Sequence, residues 1–411
     1  MLQQQMPQQQ NIVIIGGGMV GVSLALLLSR VLQKKSVSIT LVEQFAFPKV
    51  QASPVFQPSF DERSTALSAG SIAILQQIGC WPLLKNECET IASVHVSDRG
   101  HFGGVQLNAK DYNMDALGYV VENRRLGSVL IQQLQLSHVE CIAPATVKKC
   151  IPKKKGYTLI IDQANTDIHK QADLVLVADG ADSQVRQSLG IDTDVTDYQQ
   201  SALIANVSLD RDHNRIAYER FTDEGPLALL PLPTFNNTCR AALVWTVPSH
   251  QQESLMNQSV SELLTLLQQR FGFRGGNIID IGKRHIYPLK LVKAKEQVRS
   301  HLVVVGNAAH FLHPVAGQGF NLALRDCQAL ADCLRQAQDQ EQPLGEYSHL
   351  STYLEAQAAD QYSTIELTHH LVKLFSSQRL PLAVLRQLGF MGMHSLPFAK
   401  HQFAQKMMGV F

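Results

Sequence analysis

Apolar and polar positions along this 411-residue chain change their period several times. Residues 11–15, Asn11 followed by four apolar residues, read as a short buried strand, and they stop at a glycine cluster. Residues 19–32 return apolar side chains at helical spacing, and residues 37–42 predict a second strand ending at Glu43. Strand, tight turn, helix and parallel strand together make one βαβ unit. Prolines at 48, 54 and 58 mark a loop, and residues 64–78 predict a helix that stops at Gly79. In the middle of the chain, residues 92–97, 157–162, 201–209, 227–232 and 240–247 are strand-like and alternate with turn residues. They predict a second, largely β layer inserted between returns to the first domain. Residues 174–178 and 302–305 differ: each is a continuous apolar run before a polar or glycine turn, as in a covered parallel sheet. Beyond Gly319 the pattern is helical, with Phe320, Leu324, Cys327, Ala331 and Leu334 on one face. No internal repeat interrupts this order.

Composition narrows the class. With 45% hydrophobic and 17% charged residues the chain reads as a soluble globular protein. Its 36 Lys and Arg against 35 Asp and Glu leave no field that would gather a nucleic-acid backbone. The run Lys153-Lys154-Lys155 precedes a strand-like stretch and reads as a solvated hairpin end. Seven cysteines, scattered and without CxxC spacing, argue against a zinc site or a disulfide framework, so no metal is expected. Residues 1–10 are Gln-rich, without the basic start and apolar core of a signal peptide. No stretch of about 18 apolar residues occurs, so no spanning helix is expected and the expected location is the cytoplasm.

Three segments carry chemistry. The first is Gly16-Gly17-Gly18-Met19-Val20-Gly21, a GxGxxG between strand and helix. Its first glycine permits the sharp turn, the second admits a pyrophosphate to the backbone N–H groups, and the third lets helix and strand approach. Glu43 ends the next strand, placed to accept from a ribose hydroxyl. These features specify a dinucleotide without separating NAD from FAD. The second segment, Ala178-Asp179-Gly180-Ala181-Asp182-Ser183 followed by Arg186, would by itself be an ordinary turn. The third is the most specific: Gly306-Asn307-Ala308-Ala309-His310, then His313-Pro314-Val315-Ala316-Gly317-Gln318-Gly319-Phe320-Asn321, leading into a helix. Glycines between a sheet strand and a helix N-terminus present donors and a positive helix end to an electron-rich group. A flavin ring that becomes anionic on reduction needs such a partner.

In this order and spacing the three segments resemble the class A, single-component FAD aromatic hydroxylases typified by p-hydroxybenzoate hydroxylase, over nearly the whole chain. Further motifs make the chain similar to the branch of that family in ubiquinone biosynthesis, which acts on 2-polyprenyl-6-methoxyphenols. These are residues 60–67 (FDERSTAL), 95–101 (HVSDRGH), 219–222 (ERFT), 225–231 (GPLALLP) and 317–322 (GQGFNL). The resemblance implies an α/β fold: a Rossmann-like FAD-binding domain (11–90, 121–190 and 301–350), an interleaved β-sheet substrate domain (91–120 and 191–300) and a helical C-terminal segment (351–411). It implies that Gly16, Gly18, Gly21 and Glu43 hold the ADP half of FAD and that Arg63 reaches the pyrophosphate or ribityl chain. Asp179 and Gly180 match the family's Asp-Gly motif, and Gly317, Gly319 and Asn321 would lie against the isoalloxazine ring. Asn307 stands where the family usually has Asp, so its ribityl contact would come from an amide. Asn123, flanked by Arg124 and Arg125, replaces the family's Gln or Arg, and that contact stays unassigned.

The implied reaction uses NADPH or NADH as transient reductant and molecular oxygen, through a flavin C4a-hydroperoxide, and requires a dry site. His313, Pro314 and Gly317 are the candidate catalytic residues. Pro314 and the Ala316-Gly317 pair would shield the reactive oxygen, and the apolar run 227–232 would face them across the substrate. Tyr218, Tyr287, His313 and Arg220 are all open as the group that deprotonates the phenol, with His313 favoured as a polar contact. Burying a tail of about forty carbons is worth tens of kcal/mol at about 0.8 kcal/mol per CH₂. The expected partners are therefore the polyprenylphenol, the inner-membrane surface and a ubiquinone-biosynthesis complex. Apolar stripes at Leu367, Leu371, Leu374 and Phe375, at Val384, Leu385, Leu388 and Met391, and at Met407, Met408 and Phe411 would meet them or pack on the FAD domain. The alternatives left open are a sister hydroxylase acting at another ring carbon, a prenyl reductase of the same fold, and a non-catalytic prenyl-binding module.

Overall fold

The computed structural model describes residues 9–34, 36–47, 63–100 and 104–375. The proline loop 48–58, Phe60 to Glu62 and His101 of the resemblance motifs, and the C-terminal stripes from residue 376 onward lie outside the described residues. Among the described residues, no helix is long and apolar enough to cross a membrane.

Six described strands form one sheet in the order Val298–Arg299, Leu302–Val304, Leu174–Val177, Gln10–Ile15, Val37–Val42, Glu140–Ile142. All neighbours are parallel except the Val298–Arg299 edge. The unbroken apolar runs follow from burial on both faces. Ile12, Ile14, Leu41, Leu174, Leu176 and Val303 face the helices, while Val13, Ile15, Val42, Val175, Val177 and Val304 face a three-stranded sheet through Leu159 and Ile161. Each such side chain is worth about 1.5–3 kcal/mol of burial, and the one buried polar residue of Val37–Val42, Thr40, donates to Glu140 Oε2 at 2.8 Å. From Gln10–Ile15 the chain crosses to Val37–Val42 on one side, while Leu174–Val177 lies on the other. That reversal opens a crevice at the C-terminal strand ends, where such sheets take ligands.

The helix Met19–Val31 packs on this sheet and on Gln318–Asp339, whose Leu324, Cys327, Ala331 and Leu334 are fully or nearly fully buried. The helix Tyr347–Phe375 lies outside that one, joined by the ion pair of Arg325 Nε with Asp360 Oδ2 at 2.6 Å.

A nine-stranded sheet stands against the crevice, its main strands Ser93–Asp98, Gly104–Asn108, Thr193–Leu209, Ile216–Thr222, Gly225–Phe235, Thr238–Pro248 and His285–Ala294. His310–Phe311 extends one edge, so the glycine segment after Leu302–Val304 physically joins the two sheets. Lys153 to Lys155 are exposed at the tip of the hairpin between Thr146–Pro152 and Tyr157–Gln163, as expected.

Residues 64–78 are not one helix. Ser64–Ser68 is a strand paired antiparallel with Gly118–Glu122, and the helix Ala69–Gln77 begins only where the Ser68 hydroxyl accepts from Ser71 N at 3.3 Å. Pairing partners fifty or more residues away override the local helical period here.

Candidate active site

A cavity of about 850 Å³ fills the crevice between the two sheets. One end is built from the turns that follow neighbouring parallel strands. Gly16, Gly17 and Gly18 follow the first strand, Glu43 the second, Ala178 to Gly180 the third and Asn307 the fourth. Gly16 sits at φ +104°, and a Cβ there would lie 2.5 Å from Ala178 O. Gly18 starts the helix Met19–Val31 without a side-chain cap, so the first-turn N–H groups are unbonded beside the cavity wall. Glu43 Oε2 accepts from Gly17 N at 2.5 Å and Oε1 from Phe45 N at 2.8 Å, which fixes the carboxylate at the mouth of this turn. Its remaining lone pairs stay available to hydroxyl donors.

Asp179 is held by a long bond from Val185 N at 3.4 Å, and its Oδ1 is buried without a partner. Burial pushes its carboxyl above the usual range, with Ser183 and Val185 donors pulling back. An uncapped helix start, a glycine cradle and an orphaned carboxylate oxygen are a donor and acceptor set that a dinucleotide would complete. These residues fit FAD.

The second half of the cradle comes from the C-terminal glycine segment. Gly317 lies at φ +61° and begins the helix Gln318–Asp339, again without a side-chain cap, and Gly319 faces open space in the cavity. Arg63, His313 and Pro314 also line the cavity, and the Arg63 guanidinium lies 4.8 Å over the Tyr287 ring.

Two expected cofactor contacts stand one layer back. Gly21 does not line the cavity; a Cβ there would sit 1.8 Å from Gly16 O, so its role is the close helix–strand approach. Asn321 is buried and does not line the cavity either. Its Nδ2 donates to Ala66 O at 2.9 Å and Gly317 O at 2.8 Å, and its Oδ1 accepts from Ser68 N at 2.9 Å and Ser71 Oγ at 2.6 Å. With every amide valence engaged, Asn321 pins the glycine loop to the strand Ser64–Ser68 and has nothing left for a ring.

Sequence reading assigned no role to two residues that the structure makes informative. Arg186 is buried and donates from Nη1 to Ala308 O at 2.7 Å and from Nη2 to Ala181 O at 2.9 Å. It staples the Asp179 turn to the Gly306 turn, two segments more than a hundred residues apart. His310 Nε2 meets Asp326 Oδ2 at 2.5 Å, and Gln361 Nε2 donates to Asp326 Oδ1 at 3.0 Å. That buried chain fixes the loop onto both C-terminal helices. Neither pairing leaves a short-range sequence signal.

The other end of the cavity is apolar. Period-two alternation sends Pro226, Ala228 and Leu230 toward it and Leu227 and Leu229 into the core behind the sheet, so the run 227–232 is both cavity wall and core strand. Ala217, Phe221, Ala242, Val244, Val94 and Val96 continue the face. Tyr218 packs its ring edge-on against Phe271, 5.7 Å away on the far side of the sheet, and Arg220 faces Gly272 there. Tyr287 does not line the cavity. Of these three, Tyr218 borders the cavity while its ring and the Arg220 guanidinium lean to the far side of the sheet.

His313 is 1% exposed. Its Nδ1 accepts from Val315 N at 3.1 Å, which puts the neutral ring's proton on Nε2, an atom buried without a partner. Burial pushes the imidazole down to about 3, so the ring is a neutral donor at working pH and not a base.

Relatives of the whole chain carry related names. Ubiquinone hydroxylase UbiL of Rhodospirillum rubrum is 32% identical over 405 residues, covering 97% of this chain and 89% of the relative. The 3-demethoxyubiquinol 3-hydroxylase of Escherichia coli is 30% identical over 414 residues, covering 98% and 99%. Among solved structures, p-nitrophenol 4-monooxygenase PnpA of Pseudomonas putida superimposes with a TM-score of 0.75 at 17% identity, covering 98% of this chain and 99% of that one. The fold is thus shared far beyond recognisable sequence. The chain belongs to the FAD binding domain family, whose model matches residues 9–361, and is an FAD-dependent aromatic hydroxylase that uses NAD(P)H as reductant.

Proposed function

We propose that this enzyme hydroxylates a polyprenylated methoxyphenol in ubiquinone biosynthesis, 2-polyprenyl-6-methoxyphenol being the substrate that its motifs favour. The observation that carries the reading is the two-sided cavity. A glycine-lined polar end runs without a break into a face of Val, Ala, Leu and Phe side chains on the nine-stranded sheet. When bound, FAD supplies the redox chemistry, reduction by NAD(P)H and activation of molecular oxygen. In this reading Gly16, Gly18, Glu43, Arg63, Asp179, Gly180 and Asn307 bind it, and Gly317 and Gly319 approach its ring. Gly21 and Asn321 hold those loops in place.

The residues of this chain have three further tasks. The apolar sheet face excludes water and packs the substituted ring. His313 offers an Nε2–H donor, and Pro314 and Gly317 close the wall next to it. The polyprenyl tail exceeds the cavity, so it extends toward a lipid surface or a partner protein, and we assign that contact to the C-terminal segment. Relatives named for ubiquinone hydroxylation, covered over nearly their full length, support the pathway.

The test is a holoenzyme assay in ¹⁸O₂ with NADPH or NADH and a panel of prenylated phenols differing in their open ring positions. The reading expects one labelled oxygen in the product of a methoxyphenol. Reduction of a prenyl double bond without label would make the enzyme a reductase. A colourless protein that binds prenylphenol would make it a carrier.

A further inference from the structure

Among the described residues, the apolar face of the cavity contains one carboxyl group, that of Glu219. Glu219 lies mid-strand in Ile216–Thr222, in register with Val96 on one neighbour and Ala228 on the other. It lines the cavity on the same face as Ala217 and Phe221, while Tyr218 and Arg220 alternate to the far side. The elements packed around it present Val96, Ala228, Leu107, Val244 and Leu371, and across the cavity the neutral His313. Of the cavity's other charged groups among the described residues, Glu43, Asp179 and Asp182 stand at the glycine-lined end, and the Arg63 guanidinium lies over Tyr287 of the strand His285–Ala294. Among the described residues, nothing hydrogen-bonds or ion-pairs with the Glu219 side chain. A core strand with a solitary carboxylate on an apolar face is unfavourable unless a ligand uses it.

Resting on the reading that the substrate is a phenol, the geometry points to Glu219 as the group that takes the phenol proton while the ring is oxygenated. The phenol O–H bond breaks, its proton forms an O–H bond on a Glu219 carboxylate oxygen, and the electron pair stays on the phenol oxygen. That pair raises electron density at the ring carbons ortho and para to it, one of which forms the new C–O bond. The proton returns to the product's oxygen. The overall balance is unchanged: phenol, O₂, NAD(P)H and a proton give hydroxylated phenol, NAD(P)⁺ and water. Burial alone, with no charged neighbour contributing, pushes the Glu219 carboxyl up to about 7. A base whose pKa sits near working pH combines an ionised fraction with enough basicity to accept a proton, as general-base catalysis requires. Below that value the group is protonated and can only hold the phenol.

The experiment uses FAD-loaded wild type, Glu219→Gln and Glu219→Asp with 2-methoxy-6-prenylphenol carrying a single isoprene unit. Single-turnover hydroxylation, flavin reduction by NADPH and peroxide release are followed from pH 5.5 to 9, flanking the relevant pKa by roughly 1.5 to 2 units. Glu219→Gln is expected to hydroxylate roughly 10²-fold more slowly or worse, releasing peroxide instead, while flavin reduction stays within about twofold. The acid limb near neutrality should vanish in Glu219→Gln and persist in Glu219→Asp. Infrared difference spectra of wild type at pH 8, where Glu219 is mostly ionised, should show a shifted carboxylate stretch when the phenol binds and donates a hydrogen bond to it. Hydroxylation by Glu219→Gln within about threefold of wild type, an equal loss in flavin reduction, or no carboxylate shift in wild type would each overturn the assignment. If Glu219→Gln yields no folded holoenzyme, the wild-type infrared result and the acid limb of wild type decide. If wild type reduces its flavin but oxygenates no phenol, the functional reading fails, and the infrared arm still tests the phenol–carboxylate contact by itself.

Discussion

Asn321→Asp isolates the part of the site that holds the glycine loop. The change preserves shape and leaves Oδ1 in place for Ser68 N and Ser71 Oγ. It turns the Nδ2 donor, 2.9 Å from Ala66 O and 2.8 Å from Gly317 O, into an oxygen facing two carbonyls. Each buried carbonyl left unsatisfied costs about 1–3 kcal/mol, so with two of them the domain should lose about 2–6 kcal/mol. The loop carrying Gly317 should order less readily, and if about 2 kcal/mol of that loss is recovered only when FAD binds, FAD affinity falls roughly 30-fold. Protonating the new carboxyl restores one donor, so its folded-state pKa is raised. A raised carboxyl contributes stability at low pH that is lost as pH rises through the folded value, so the deficit should shrink in acid. Urea unfolding of the apoprotein has a built-in local probe, because Trp81 sits in the core beside the parallel sheet and Trp245 in the nine-stranded sheet. FAD affinity is read by flavin fluorescence. An apoprotein midpoint and an FAD affinity both matching wild type would refute the claim that Asn321 is the pin.

Other outcomes follow from the same geometry. Gly21→Ala should abolish FAD retention and lower the folded yield, because its Cβ would meet the Gly16 backbone oxygen at 1.8 Å and neither backbone can withdraw; recovery of yellow, stable protein would contradict this. His313→Ala should slow hydroxylation more than flavin reduction, and equal slowing of both steps would count against its substrate-side role. The imidazole of His313 is held far below its ordinary value, so the unfolded chain binds the extra proton between about pH 6.5 and 3. Stability therefore rises with pH across that window, and His313→Leu should flatten the acid side of the stability curve by on the order of a few kcal/mol in urea titrations. A curve parallel to wild type would show that His313 is not buried in the neutral form.

Much of this architecture is written in local pattern. Apolar runs at 12–15, 174–178 and 302–305 exist because a strand covered on both faces favours apolar residues, so the parallel sheet was legible before any coordinates. The glycine cluster after Ile15 and the one before Phe320 were legible for a steric reason, since a backbone that meets a pyrophosphate or a strand at van der Waals distance excludes a Cβ. Tertiary structure decided what each of these residues does. Gly21 and Asn321 share the motifs but stand behind the cavity, because their side of the first helical turn faces a neighbouring segment, Gly16 for Gly21 and the strand Ser64–Ser68 for Asn321. Ser64 to Ser68 became a strand because distant partners outweigh a weak helical period. Glu219 was hidden within a motif: in sequence it is one polar residue beside Tyr218 and Arg220. Only the pleat and the register with Val96 and Ala228 show that its side chain, unlike theirs, enters an apolar cavity. Local sequence reports steric and hydrophobic demands at each position, while the chemistry of the site depends on which residues converge across hundreds of positions.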